Sequence, residues 1–151
     1  MLRRMSKRRA FTLIELLVVL VILALLAGLV LPKFLGRTDD AKVSKAKAQI
    51  GSFRSALNLY MLDNTEAPTT QQGLDALIAA PTTQPIPKNW KRPYLDMPSV
   101  PLDPWDNPYI YESPGPNGED FVIISLGKDG KEGGSENDAD ISNIDAGEQP
   151  Q

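Results

Sequence analysis

The chain contains neither cysteine nor histidine. Without cysteine, no disulfide can brace an exported domain. Without histidine, the chain lacks the commonest general base and the commonest transition-metal ligand. No acid–base pair or nucleophile motif stands out among the remaining residues, so the sequence favours a structural or binding protein over an enzyme.

Basic residues are scarce outside the first ten positions. The whole chain has 16 basic and 19 acidic residues, and five of the basic ones lie within residues 1–10, which contain no acid. From residue 11 onward, 11 basic residues face 19 acidic ones, which gives a formal net charge of −8. Because binding to nucleic acid requires a basic surface, we expect no nucleic-acid partner.

The most informative segment is an apolar run that carries one acid. Residues 11–31 are 21 residues whose sole charge is Glu15, and a helix of that length reaches about 30 Å, enough to cross a bilayer core. By the positive-inside rule, the basic leader stays in the cytoplasm and the C-terminal part crosses the membrane. A cut at the Ala10–Phe11 bond would precede the apolar run and leave this anchor on the mature protein.

Position alone leaves two interpretations of Glu15. A carboxylate in a hydrophobic segment is costly and is by default functional, and a paired charge in a packed helical core selects one axial register. The alternative is a single-span anchor whose Glu15 reaches the cytoplasmic headgroups, since it lies one turn from the helix end.

Apolar residues recur at helical spacing beyond the membrane segment. The stripe consists of Val43, Ala46, Ile50, Phe53, Leu57 and Tyr60. Steps of three and four predict an amphipathic helix over residues 32–63, continuous with the segment at 11–31 and packed against a globular head. Pro32 cannot donate a backbone hydrogen bond and is expected to loosen the helix at the membrane edge.

The remainder predicts a small α+β head over residues 64–145, followed by a flexible tail, 146–151. A short helix is expected from Gln71 to Ala80, capped by Thr70. The sequence of residues 81–104 predicts a loop. Two strands, 109–111 and 121–124, flank a turn-rich stretch and form an antiparallel hairpin. Trp105, Tyr109 and Tyr111 are expected to be core or hinge residues.

Three aspartates follow the strands in a glycine-rich stretch: Asp129, Asp138 and Asp140. Calcium takes about six to eight oxygen ligands from carboxylates and backbone carbonyls, which such a loop can supply. The acids lack the alternate spacing of an EF-hand. A solvated acidic tail is the usual meaning of such a run, so the residues alone leave calcium binding open.

Residues 7–15, Lys-Arg-Arg-Ala-Phe-Thr-Leu-Ile-Glu, resemble the class III leader of type IV pilins and pseudopilins. The resemblance implies that a prepilin peptidase cleaves after Ala10 and that Phe11 is then N-methylated. It further implies that Glu15 pairs with the new amine of Phe11 on a neighbouring subunit. The family usually has glycine where this chain has Ala10.

Three further stretches resemble the major pseudopilin family of type II secretion systems. They are residues 60–64 with 67–77, residues 102–109, and residues 125–130 with 138–141. The resemblance implies a type IV pilin-like fold with a C-terminal calcium loop. It places backbone ligands at Leu126 and Lys128 and side-chain ligands at Asp129 and Asp140, and we assign a further ligand to Asp138.

The resemblance also implies a subunit of a filament, the periplasmic pseudopilus, that drives protein export. Expected partners are copies of the same chain, minor pseudopilins, the inner-membrane platform and the prepilin peptidase. The expected location is the bacterial inner membrane, with a cytoplasmic N-terminus and a periplasmic head. Two alternatives are a type IV pilin for adhesion or motility, which often carries a disulfide loop absent here, and a membrane-anchored calcium-dependent binding module.

Overall fold

The computed structural model describes residues 11–144, without the side chains of residues 28–37 and of Asn137. The described helices are α1 (Leu13–Asn64) and two short 3-10 helices, Leu74–Leu77 and Glu136–Asp138. The strands are β1 (Ile110–Glu112), β2 (Val122–Ser125) and β3 (Ile141–Ser142), which form one antiparallel sheet in the order β1-β2-β3. The prediction of a long helix with a small antiparallel sheet is confirmed.

The chain divides into two compact units, residues 1–38 and 39–151. In the first unit, α1 begins after Thr12, whose Oγ1 accepts the backbone N–H of Glu15 at 3.3 Å. Threonine with glutamate three residues later is the capping-box pattern, in which the hydroxyl satisfies an N–H that has no partner within the helix. The large apolar side chains between Phe11 and Leu26 are 47–81% exposed.

No helix has, within the part of the chain that the structure describes, a segment of the length and apolarity needed to cross a membrane.

Several predictions fall on parts of the chain that the structure leaves out. The leader 1–10, with Ala10, and the tail 146–151 lie outside the described residues. The backbone is helical at Pro32, but its side chain is not described, so the loosening of the helix expected there stays a prediction.

The second unit is built on the predicted stripe of α1. Ala46, Ile50, Phe53, Leu57 and Tyr60 are at most 3% exposed, and they form one core with residues of the head. The ring of Phe53 meets Tyr109 edge-on, with 5.1 Å between the ring centroids. The periodicity therefore identified the face of α1 that packs on the head.

The predicted helix from Gln71 to Ala80 is wrong. Residues 70–73 form a turn, and only Leu74–Leu77 is helical, as a 3-10 helix. Gly73 precedes it with φ +63, a left-handed conformation that interrupts α-helical geometry. Thr70 does not cap this helix, because its hydroxyl donates to the Ser113 carbonyl at 3.1 Å and accepts the Ser113 N–H at 2.9 Å.

The predicted hairpin is confirmed, with strand ends shifted by one residue. Tyr111 pairs with Ile123 across β1 and β2. The third strand, β3, was not predicted, because two residues are too short to show the alternation that marks a strand. Asn143 continues this pairing beyond β3, since its N–H donates to the Ile123 carbonyl and its Oδ1 accepts the Ile123 N–H at 2.6 Å.

Candidate functional site

The third strand closes the predicted calcium loop. Ser125, the last residue of β2, pairs with Ile141, the first residue of β3. Leu126 follows Ser125 and Asp140 precedes Ile141, so these two residues are the first on either strand beyond the last pair of the ladder. The segment 126–140 thus begins and ends at one point on the sheet, and two of the predicted ligand residues lie there together.

Asp140 carries the clearest sign of a missing partner. Its Oδ2 accepts the backbone N–H of Gly133 at 2.9 Å, while its Oδ1 is buried and has no hydrogen-bond partner among the described residues. A buried acceptor without a partner costs about 1–3 kcal/mol, and more when it is charged. A cation at this oxygen would remove that cost, so Asp140 fits a calcium ligand.

Asp129 and Asp138 are placed differently. Both side chains are exposed, and Asp129 Oδ1 accepts the N–H of Lys131, two residues further on, at 3.1 Å. Within residues 11–144, no group of three or more acidic side chains is placed to hold a metal. Calcium binding here would therefore draw on backbone carbonyls as well as carboxylates, a mixture that this ion accepts.

Glycine allows the chain to close tightly within the loop. Gly134 has φ +86, and a Cβ added to it would lie 2.2 Å from the backbone oxygen of Asp138. Only glycine fits such a close approach in this conformation. The loop is therefore packed against itself around the 3-10 helix at Glu136–Asp138.

Lys128 joins the loop to α1. Its Nζ lies 3.2 Å from Asp39 Oδ2, and the two side chains are 53% and 22% exposed. An exposed pair of this kind contributes about 0–1 kcal/mol to stability. The ammonium of Lys128 has no lone pair to offer a cation, so only its backbone carbonyl is a candidate ligand.

A buried carboxylate that sequence reasoning left without a role lies beside the loop. Asp103 is 3% exposed. Its Oδ1 accepts the backbone N–H groups of Trp105 at 2.9 Å and Asn107 at 2.8 Å, and its Oδ2 accepts the Ser125 hydroxyl at 2.7 Å. The sequence signal for the turn was present, because aspartate followed by proline favours a side-chain-bonded turn.

Of the three aromatic residues expected in the core or at a hinge, Tyr111 is buried in the core, while Trp105 and Tyr109 are partly buried and pack against it. Tyr111 donates to the Pro68 carbonyl at 2.7 Å, and burial raises the pKa of Tyr111 to about 12. Tyr109 donates to Gln49 Oε1 on α1 at 2.9 Å, and burial, followed by the charge of Asp103, raises the pKa of Tyr109 as well. Both hydroxyls are thus held protonated as donors that tie the sheet to its surroundings.

Glu15, the predicted assembly residue, lies on the exposed first part of α1. Among the side chains that the structure describes, the ion pairs join Lys91 to Asp63 and Lys128 to Asp39, and the Glu15 carboxylate takes part in neither. Phe11, whose amine would be its partner after cleavage, is 75% exposed. Glu15 and Phe11 are thus both exposed in the single chain.

Two family models match the chain. The model of type II secretion system (T2SS) protein G matches residues 33–144. The model of the prokaryotic N-terminal methylation motif matches residues 5–31.

Named relatives and a solved structure agree with these matches. The chain is 54% identical over 140 residues to type II secretion system core protein G of Pseudomonas aeruginosa, covering 92% of this chain and 96% of the relative. It is 44% identical over 143 residues to the protein of the same name from Vibrio cholerae, covering 94% and 95%. The crystal structure of the major pseudopilin from the type 2 secretion system of enterohaemorrhagic Escherichia coli superposes with a TM-score of 0.60 at 38% identity, covering 72% of this chain and 91% of that one.

Proposed function

The chain belongs to the protein G family of the type II secretion system and is a pseudopilin subunit of that system, and we propose that it polymerises into the periplasmic pseudopilus that drives protein export. The family is one of structural subunits, and we infer that the chain has no catalytic activity of its own. The observation that carries the proposal is the exposed apolar surface of residues 11–26, at the start of α1, whose only charge is Glu15.

That surface cannot remain in water. Thirteen large apolar side chains between Phe11 and Leu26 are 47–81% exposed in the single chain, far more than a monomeric soluble protein leaves uncovered. Lipid covers this surface before assembly, and the same segments of neighbouring subunits cover it in the filament. The anchor is thus also the assembly surface.

Glu15 sets the axial register of that assembly. An unpaired carboxylate in an apolar filament core is strongly unfavourable, and removal of one partner of a buried ion pair costs about 3–5 kcal/mol. The amine of Phe11 on a neighbouring subunit, freed by cleavage after Ala10 and then methylated, is the partner. The match of residues 5–31 to the methylation motif supports this processing.

The proposed topology follows from the charges at the N-terminus. Five basic residues within positions 1–10 keep the leader in the cytoplasm, and the head lies in the periplasm. The subunit waits in the inner membrane, contacts the membrane platform and the minor pseudopilins, and leaves the bilayer on assembly. The prepilin peptidase acts on the leader from the cytoplasmic side.

The proposed cofactor is calcium in the loop 126–140. The backbone carbonyls of Leu126 and Lys128 and the carboxylates of Asp129, Asp138 and Asp140 would hold the ion. Its charge would satisfy the buried Asp140 Oδ1 and offset the repulsion between the acids. The loop has little apolar content of its own, so ion binding would contribute folding free energy directly.

Replacing Glu15 with alanine in a cell that has lost its native copy tests the filament proposal. We expect the variant to be cleaved and to reach the membrane at normal levels, while pseudopili, seen by electron microscopy, and secretion of export substrates are lost. Glu66→Ala, which removes an exposed acid of the head, is the matched control and should retain both. Normal filaments from Glu15→Ala subunits would contradict the proposal and leave a plain membrane-anchored domain.

A further inference from the structure

Asp103 lies at the centre of a hydrogen-bond network that ends at the calcium loop. Its carboxylate accepts three hydrogen bonds, two from the turn at residues 105–107 and one from Ser125. Ser125 is fully buried at the end of β2. Because both oxygens of Asp103 are used and the group is buried, the turn and the strand end are held in one fixed arrangement.

Gly127, the first residue after Leu126, is held from both sides by this network. Its N–H points to Ser125 Oγ, with 3.4 Å between nitrogen and oxygen, and its carbonyl accepts the side-chain amide of Asn107 at 3.0 Å. Asn107 in turn is fixed by Asp103, which accepts its backbone N–H. The side chain of Asn107 also lies against Gly130, where an added Cβ would approach its Oδ1 to 3.0 Å.

The direction of the Gly127 N–H determines the direction of the Leu126 carbonyl, which is a proposed calcium ligand. The carbonyl of Leu126 and the N–H of Gly127 belong to the same peptide plane, and in a trans peptide they point in opposite directions. Fixing the N–H toward Ser125 therefore turns the Leu126 carbonyl away from the buried end of β2. Leu126 directly follows the last pair of the ladder, Ser125 with Ile141, and Asp140 directly precedes Ile141.

We propose that Asp103 is a positioning residue for calcium and acts through Ser125 and Asn107 on the carbonyl of Leu126. The inference rests on the proposed calcium function. The network holds the carbonyl in its binding direction before the ion arrives, so that binding does not have to order the backbone at residues 126–128. Groups that orient metal ligands from one layer further out typically change affinity by about 10–100-fold when they are removed.

Calcium titration calorimetry on the full-length protein in detergent micelles tests the proposal. The variants are Ser125→Ala, which removes the donor to Asp103, and Asn107→Ala, which removes the donor to Gly127. The matched control is Ser113→Ala, which removes a serine hydroxyl that donates to the Asp120 carbonyl in the β1–β2 hairpin. All titrations are made well below the melting temperature of every variant, because a purely structural role would lower the melting temperature and leave the Kd of the folded protein unchanged.

We expect Ser125→Ala and Asn107→Ala each to raise the calcium Kd about tenfold, with Ser113→Ala equal to wild type. If Ser125→Ala does not fold, the Kd of Asn107→Ala tests the proposal by itself. Asn107 is only partly buried, so its replacement disturbs the fold less. Wild-type Kd values in folded variants would overturn the positioning role and leave the calcium site intact. Absence of calcium binding to the wild-type protein would overturn both this inference and the calcium proposal.

Discussion

Asp103 and Asp140 are two carboxylates of the head with buried oxygens, and they differ in how those oxygens are satisfied, which separates their roles. Asp103 accepts hydrogen bonds from three donors and holds a turn together. Asp140 accepts one, and its other oxygen is buried without a partner in the described part of the chain. The satisfied carboxylate of Asp103 is a structural element, whereas the free oxygen of Asp140 is a group that the proposed cation would satisfy.

Calcium should stabilise the wild-type head through Asp140. At a calcium concentration a hundredfold above Kd, linkage predicts a gain of about 2.7 kcal/mol. We expect calcium to raise the Tm of the full-length protein in detergent, and Asp140→Asn, which removes the charge but keeps the shape, to lose most of that rise. Glu112→Gln, at an exposed carboxylate of β1, is the control and should keep it. Identical wild-type melting curves in calcium and in chelator would contradict the prediction.

Gly134 and Gly133 offer a second comparison between single residues. Both have positive φ, of +86 and +93, but only at Gly134 would a Cβ collide with backbone, at 2.2 Å from the Asp138 oxygen. Gly133→Ala should cost about 1–2 kcal/mol for its left-handed conformation alone. Gly134→Ala should cost clearly more, because the Asp138 carbonyl must also move. Urea unfolding followed by tryptophan fluorescence measures both, and equal losses would show that the close approach is not maintained in solution.

At the scale of helices and strands, the sequence predicted those elements that are long enough to show a period. The stripe from Val43 to Tyr60 spans five turns of α1 and marked the buried face correctly. The helix predicted after Thr70 was wrong, because the positive φ of Gly73 and the hydrogen bonds of the Thr70 hydroxyl to Ser113 are features of the tertiary structure. Strand β3 was not predicted, because its two residues are too few to show a period.

The residues of the candidate site divide in the same way, into those that a local sequence pattern indicates and those that only the tertiary structure brings together. The sequence singled out Asp140 as one of three aspartates in a glycine-rich loop, a composition that can supply oxygen ligands, and its role as a calcium ligand stays a prediction. The contribution of Asp103, Ser125 and Asn107 was hidden, because it depends on a turn at residues 103–107 meeting the end of β2, about twenty residues away in the chain. A local sequence pattern does not predict contacts between segments that lie so far apart in the chain.

The packing of α1 on the head predicts the cost of truncating Phe53. This side chain is 1% exposed and lies against Tyr109. Phe53→Ala should lower the free energy of unfolding by about 3–5 kcal/mol, since a large buried ring leaves a cavity. Leu62→Ala, at a position of α1 that is 81% exposed, should change it by less than about 0.5 kcal/mol. Urea titration of both full-length variants checks the contrast, and a small effect at Phe53 would show that the helix does not complete the core.

At the scale of the whole molecule, the two units differ in the exposure of their apolar residues. The first presents an exposed apolar helix surface, and the second buries its apolar residues around the amphipathic part of α1. Both tryptophans, Trp90 and Trp105, lie in the second unit. Their fluorescence therefore reports unfolding of the head even while the first unit is held in a detergent micelle, which makes the full-length protein suitable for every stability measurement proposed above.

The head should lose stability at alkaline pH through its tyrosines. The pKa of each of the four, Tyr60, Tyr94, Tyr109 and Tyr111, is raised above the ordinary value of 10.0, chiefly by burial. Above pH 10 the unfolded chain releases these protons while the folded chain keeps them, so the folded state binds more protons and its stability falls as pH rises. The stabilisation is complete below pH 10 and, for Tyr111, is lost as pH passes through about 12.

Urea unfolding at a series of pH values from 8 to 11.5, with phenolate absorbance recorded in parallel, measures this effect. Tyr111→Phe removes one of the titrating groups, so its stability should fall less steeply above pH 10, although the lost hydrogen bond to Pro68 lowers it by about 1 kcal/mol at neutral pH. A wild-type stability that is level from pH 8 to 11.5 would mean that the tyrosine hydroxyls reach water in solution, and that the core formed by α1 and the sheet is looser than the structure shows.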